Sequence, residues 1–548
     1  MLEKIANLIR EATGEEAKIT VPEDPKFGHY STNLPFVVAK YQETDPVSAA
    51  KELKDKIYNY APKGFFERID IAGGFLNFFL GEKTLEKEFE KILREKGRYG
   101  ASFLGRGKTI VIDYSAPNIA KPMNIGHLRS TIIGQALVNL HRFLGYRVIG
   151  DNHLGDWGTQ FGSLIAAYKK WGDKKEFAVR PIDHLVSLYI RFHKEAENSE
   201  ELAKEAREET KKLQEGDKEN RRLWKLFVRE SLKEFNKIYW RLGIKFSTAL
   251  GESFYQPMLK RIVDEALAMG VAKKDDGAMK VLSDNLPDFV IQKSDGSFLY
   301  TTTDLATIKY RVSRWRPKKI LYVVANEQTL HFSQLFSAVS KLAYAPRAEL
   351  VHVKFGMVLG ESGKKMSTRR GEFIKLEEAL DKAAEKAGEI NKAAAEEVGV
   401  GAVKYNILSH DRMSDIVFNW DKTLDLRGNS GPYLQYAYAR ARSVIRKAGK
   451  FVRRPDISFL RSESEKTLLR QTIYFPDAVF YAAENYSVNY LTDYLYKLAG
   501  VINNFYESEP ILKAEKNVRQ ARLTLLYAAS GILKQGLELL GIKATERM

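Results

Sequence analysis

Four residues within seven positions, Lys121, Asn124, Gly126 and His127, have the chemistry to hold a phosphate-bearing ligand. Lys and His supply donors, and Asn can donate a hydrogen bond but cannot carry charge. Gly126 lets a ring or a phosphate come close to the backbone. The elements around them fit that use. The apolar run Thr109–Ile112 reads as a buried parallel strand. Ser115, Ala116, Pro117 and Asn118 break the pattern, and Pro122 excludes a regular helix interior. From Gly126 onward, Leu128, Ile132, Ile133, Ala136, Leu137 and Leu140 recur at helical spacing. Strand, Pro-punctuated loop and helix start form the place where α/β proteins hold a nucleotide, because the free amides and dipole of the helix start favour an anion. Taken alone, His127 reads equally well as a packed histidine at a capped helix.

Two further clusters belong with this one. Gly360, Gly363, Lys364, Lys365, Arg369, Arg370 and Gly371 form a cationic, glycine-rich loop after a strand near Val353. Cations placed where charge develops suit a pyrophosphate leaving group, although such a loop alone is more often plain basic surface. Glu252, Asp304 and Gln328 each fall at a predicted strand end or helix start of one sheet, facing one crevice, with Tyr300 four residues before Asp304 on a shared helix face. Glu252 by itself reads equally as a helix cap. Asp151–Gly162, DNHLGDWGTQFG, is a Gly-rich loop after the second strand, Tyr146–Gly150, where parallel sheets gather ligands. Asp156 in it is expected to cap the next helix.

Composition sets the frame. At 548 residues the chain exceeds one core, so three or more domains are expected. The net charge of +17 points to a polyanionic partner. The absence of cysteine excludes disulfides, a thiol nucleophile and Cys-ligated metal, and fits a reducing compartment. The amphipathic start MLEKIANLIREATGEE is no secretory signal, and no apolar run reaches transmembrane length.

The strings themselves carry a resemblance. NIGH resembles the HIGH motif of class I aminoacyl-tRNA synthetases, and SAPNIAKPMNIGHLRSTIIG resembles the form found in arginyl-tRNA synthetases, with Asn124 where the family usually has its first His. KMSTR (Lys365–Arg369) resembles KMSKS, with Thr368 in place of the second Lys; Lys121 is placed to substitute for it. FGHYSTN and AGGFLNFFL resemble that family's N-terminal additional domain, which touches the tRNA elbow, and the ending GLELLGIKATERM matches its anticodon-binding helices. The resemblance implies catalysis by Lys121, Asn124, Gly126, His127 and Lys365. It implies ATP binding by those residues with Met357, Val358, Lys364, Met366 and Ser367. It implies arginine binding by Ser115, Asn118, His153, Glu252, Tyr300, Asp304 and Gln328. Carboxylates at Glu252 and Asp304 suit a guanidinium, which they can meet bidentately. It implies tRNA contacts by Tyr433, Tyr436, Arg440 and Met548; Arg442 and Arg446 add phosphate partners. Tyr438 reads as packed within the bundle.

The expected architecture is α/β: a small α+β domain at 1–103, a Rossmann-like catalytic domain at 104–395 with a helical insertion around 165–245, and an all-α anticodon-binding bundle at 396–548. The expected function is arginyl-tRNA synthesis from L-arginine, ATP with Mg²⁺ and tRNA(Arg), by a cytoplasmic monomer with no resident metal. The family usually activates arginine only with tRNA bound, and the same is expected here. The alternatives are a class I synthetase for lysine and a non-catalytic tRNA-binding paralogue.

Overall fold

In the computed structural model, all residues are described except 198, 284, 360–374, 418, 452, 454 and 455. Four apolar strands, Thr109–Asp113, Arg147–Asp151, Lys319–Ala325 and Glu349–Phe355, form a parallel sheet. Their spatial order is 349–355, 319–325, 109–113, 147–151. The chain steps outward from 109–113 to 147–151, then crosses back to 319–325 on the other side. The crevice beyond the carboxyl ends of 109–113 and 319–325 is therefore the topological switch point, where open α/β sheets bind ligands.

Both faces of this sheet are covered, which is why its two inner strands, 109–113 and 319–325, are mostly apolar and buried. Ile110 and Ile112 point to one face and pack with Ile132 and Leu137 of the helix Ile125–Phe143. Val111 points to the other and packs with Leu259, Leu305 and Leu335, from the helices Leu259–Ala268, Tyr300–Trp315 and Thr329–Lys341. At the strand ends the fully buried Arg311 guanidinium meets Asp113 at 2.6 Å and Asp151 at 2.7 Å.

After the strand 147–151 come five helices, Thr159–Trp171, Lys174–Val179, Pro181–Ala196, Glu200–Glu215 and Lys218–Arg241, before the chain returns to the sheet's other face. At the N-terminus a separate antiparallel sheet, ordered 19–20, 30–32, 75–80, 66–72, packs on three helices around Ile5, Ile9, Ile57 and Phe78. Tyr30 reaches from it to donate to Asp477 Oδ2 at 2.7 Å, on the helix Phe475–Glu484. The last third of the chain is helical, principally Ala395–Leu408, Gly431–Ala448, Glu463–Ile473, Asn489–Ser508 and Lys516–Leu539. A two-residue strand, Ile416–Val417, interrupts it and pairs with Val358–Leu359. Among the described residues no helix is long and apolar enough to cross a membrane.

Candidate active site at the sheet switch point

Asn124 caps the helix Ile125–Phe143: its Oδ1 accepts from Gly126 N at 2.9 Å. His127 completes a reciprocal cap, its Nδ1 accepting from Asn124 N at 3.1 Å. Asn is among the best capping residues, so the residue at this position holds the helix start that an anion would face. The His127 ring is neutral at physiological pH. Burial pushes its pKa down to about 4, against the Asn124 backbone contact, and Lys121 lowers it further. With Nδ1 accepting, Nε2 carries the proton as a donor. Lys121 lies beside it, its Nζ 5.0 Å from the Tyr189 ring centre.

The loop before this helix is strained. Ser115, Ala116 and Ala120 have φ of 76°, 48° and 62°, a region costing about 1–3 kcal/mol per non-glycine residue. Hydrogen bonds from outside hold it. Ser115 Oγ pairs with Tyr239 OH at 2.9 Å, Ala116 N donates to Asn152 Oδ1 at 3.1 Å, and Ala120 N donates to Ser231 Oγ at 2.9 Å. Ser115 also accepts from Thr131, so the structure makes it an internal strut. Asn118 is exposed and pairs by backbone with Gly155. A Cβ on Gly155 would stand 2.2 Å from Asn118 Oδ1, so a larger residue there would displace the Asn118 side chain.

The cationic loop's flanks reach the same helix. Lys375 pairs with Asn124, and Leu376 N donates to Met123 O at 2.9 Å. Fully buried Arg129 holds the other flank, donating to Met357 O at 3.4 Å and to Ser414 O at 2.6 Å. Val358 is buried beside it. Lys364, Lys365, Met366 and Ser367 lie outside the described residues, as does the rest of KMSTR.

Across the crevice the carboxylates gather. Glu252 opens the short helix Glu252–Tyr255, and Asp304 lies in the first turns of Tyr300–Trp315. Burial raises the Glu252 pKa to about 8, and the charges of Asp304 and Asp156 add to it in that order of effect. Two acids crowded this way form a site that a cation would relieve. Asp156 does not cap the following helix; Gly158 stands at that cap. Its oxygens instead accept from Ser253 N at 2.8 Å and Ser253 Oγ at 2.6 Å, because Gly251 lets the two segments touch. Tyr300 and Gln328 are exposed at the mouth, and His153 packs on Tyr255 with Nδ1 buried and without a hydrogen-bond partner among the described residues.

One member was not visible in the sequence. His331 Nε2 lies 2.8 Å from Asp304 Oδ2, and its ring packs 5.0 Å from that of Tyr300. The contact spans 27 residues across two helices, so no local spacing signals it. If Asp304 holds the guanidinium, as the resemblance implies, His331→Leu should raise the arginine KM about tenfold, the loss of one hydrogen bond to a charged group, while kcat and the ATP KM stay unchanged. Steady-state arginylation kinetics check this.

In the helical region Tyr436 is exposed, and Arg440 stacks its guanidinium 4.1 Å above the Tyr506 ring while pairing with Glu507. Tyr433 is partly buried and accepts from Asn503 at 3.2 Å. Met548 packs against the core, and Tyr438 is buried. These residues do not share the crevice of Asp304.

This geometry agrees with what the chain is similar to. Residues 88–420 match the model for tRNA synthetases class I (R), catalytic domain. Residues 1–80 match the arginyl tRNA synthetase N terminal domain, and 434–548 match the DALR anticodon binding domain. An arginine–tRNA ligase of Fusobacterium nucleatum is 40% identical, covering 99% of this chain and 97% of its own. The chain belongs to the arginyl-tRNA synthetase family. The family resemblance extends to an arginine–tRNA ligase of Chloroflexus aggregans, 42% identical over 97% of this chain and 95% of that one. The crystal structure of arginyl-tRNA synthetase from Plasmodium falciparum superposes with a TM-score of 0.84 at 29% identity, covering 100% of this chain and 99% of that one. The Thermus thermophilus arginyl-tRNA synthetase also gives 0.84, at 25% identity and the same coverage.

Proposed function

We propose that this chain is an arginine–tRNA ligase whose chemistry takes place at the sheet switch point. It activates L-arginine with ATP and transfers the arginyl group to the 3′-terminal adenosine of tRNA(Arg), releasing AMP and pyrophosphate. ATP lies over the helix start, where neutral His127, the amides after Asn124 and Lys121 face its phosphates. The arginine carboxylate attacks the α-phosphate in line, while Asn118 holds the amino-acid end. Mg²⁺ enters with the ATP phosphates. Lys365 of the cationic loop adds charge at the leaving group. Glu252 and Asp304 take the guanidinium, and Tyr300 and Gln328 orient it. Directional polar recognition of this kind discriminates strongly against other side chains. Tyr433, Tyr436, Arg440 and Met548 form the anticodon contact. The enzyme works as a cytoplasmic monomer.

The observation that carries the reading is the Glu252–Asp304 pair. Burial and the neighbouring Asp304 charge together hold the Glu252 pKa near 8. The test is charging of total tRNA with each of the twenty amino acids in the presence of ATP and Mg²⁺. Arginine alone should be attached, and charging with lysine would overturn the pocket assignment.

The raised pKa also has a pH signature. Guanidinium binding favours ionised Glu252, so arginine binding below about pH 8 releases a proton from it. Arginine affinity should therefore rise with pH and level off above about 8. Calorimetric titration in two buffers of different ionisation enthalpy would report the released proton. A pH-independent affinity between about 6 and 9 would exclude Glu252 as the titrating group.

A further inference from the structure

The helix Ile125–Phe143 carries a cation that the chemistry above leaves unused. Arg129 follows His127 by two residues, on the second turn of the helix, and is fully buried. Among the described residues it makes no ion pair. Its donors go to main-chain carbonyls instead. Nη1 donates to Ser414 O at 2.6 Å and to Met357 O at 3.4 Å, and Nη2 donates to Asp411 O at 3.0 Å. Burial pulls its pKa down to about 10, against the charges of Asp415 and Asp411, so the group is ionised at neutral pH. A buried charge is costly unless it is hydrogen-bonded. A guanidinium meets that condition here because its planar fork reaches acceptors on two separate segments at once, which the point charge of a lysine does not.

The two segments are locked to each other. Arg412 Nη1 donates to Lys354 O at 2.7 Å, and Gly356 N donates to Arg412 O at 2.8 Å. Met357 N donates to Asp415 Oδ1 at 2.6 Å, and Ile416 N donates to Met357 O at 2.8 Å. The approach is close: a Cβ on Gly356 would stand 2.7 Å from both Asp415 Oδ1 and Ser414 O. Both polar main-chain groups of Met357 are thus taken, one by Asp415 and the other by Ile416 and Arg129. Val358 beside it is buried and pairs with Ile416. Met357 and Val358 are residues to which the family resemblance assigns ATP. The helix that carries Arg129 begins at the Asn124–His127 cap, where the phosphates are placed. One nucleotide must therefore fit the helix start and residues 357–358 together, and Arg129 joins those two elements through a single side chain. Misplacing such elements by about 1 Å can cost about a hundredfold.

We propose that Arg129 and Asp415 are positioning residues for ATP, which together hold Met357 and Val358 at the separation from the helix start that the nucleotide must bridge. The inference rests on ATP binding at that helix start. Asp415 is exposed, so Asp415→Ala folds as the parent does. It removes the partner of Met357 N and should raise the ATP KM about tenfold, as the loss of one hydrogen bond to a charged group does. Arg129→Lys keeps the charge without the fork and should raise it by about the same factor. The arginine and tRNA KM values should stay unchanged in both. Residues that act through one network are not additive, so the double variant should lose about tenfold rather than the roughly hundredfold of two independent losses. Titration calorimetry of the full-length protein with ATP and Mg²⁺, without arginine or tRNA, should give the same pattern of affinities. An equal rise in all three KM values, an ATP affinity equal to the parent's in both single variants, or a hundredfold loss in the double variant would overturn the proposal. A parent that binds ATP but charges no arginine, with both single variants weakened for ATP, would keep the positioning pair and overturn the functional reading.

Discussion

Asp304→Ala is expected to raise the arginine KM by about a hundredfold or more while leaving the ATP KM unchanged. Truncating one partner of a desolvated, hydrogen-bonded charge pair costs about 2–5 kcal/mol, and each 1.4 kcal/mol is about tenfold. Asp304 is the carboxylate that His331 holds at 2.8 Å and whose charge reaches Glu252. Its removal therefore has a second consequence. With that charge gone, Glu252 loses the second-ranked cause of its raised pKa, and burial alone remains with the weaker effect of Asp156. The midpoint of the pH dependence of arginine binding should drop from about 8 toward the ordinary carboxylate range without reaching it. Asp304→Asn, which keeps the shape and removes the charge, should show the same midpoint shift. Kinetics from about pH 5.5 to 9 on both variants decide the point. An unchanged arginine KM in the alanine variant would remove Asp304 from the pocket.

The sequence shows the switch-point elements plainly because their signals are local. An apolar run, two prolines, a glycine and a 3.6-residue period mark strand, loop and helix from Thr109 to Leu140 without tertiary information. Asn124 reads in sequence as a departure from a motif; its capping bond to Gly126 appears only with coordinates. Tyr300 and Asp304 are legible as a pair because four residues make about one helical turn. His331 and the Tyr239–Ser115 bond are not, because each joins elements separated by a crossover of the chain. The expectation that Asp156 caps the next helix fails for a related reason: capping propensity is local, whereas its actual partner, Ser253, lies 97 residues away.

The largest expected loss of stability follows from Arg311→Met. Arg311 is fully buried, and its guanidinium makes two contacts to Asp151, at 3.0 and 2.7 Å, and one to Asp113 at 2.6 Å. Burial alone would lower its pKa, and the two carboxylates raise it well above the ordinary value. The same burial raises the pKa of Asp151, against the pull of Arg311. Methionine fills much of the volume but leaves two acids facing each other in a dry site. Breaking a buried ion network by removing one partner costs about 3–5 kcal/mol, a large fraction of the stability of a typical domain. Thermal unfolding followed by circular dichroism should show a clear drop in the catalytic domain's transition. A compensating change is expected as well. Adding Asp113→Asn and Asp151→Asn to the Arg311→Met variant removes both orphaned charges and should recover most of the loss, since exchanging a whole buried ion network for neutral groups can be near neutral. Recovery would show that the penalty is electrostatic. A triple variant no more stable than the single one would instead assign it to packing at the ends of the two strands that carry the site.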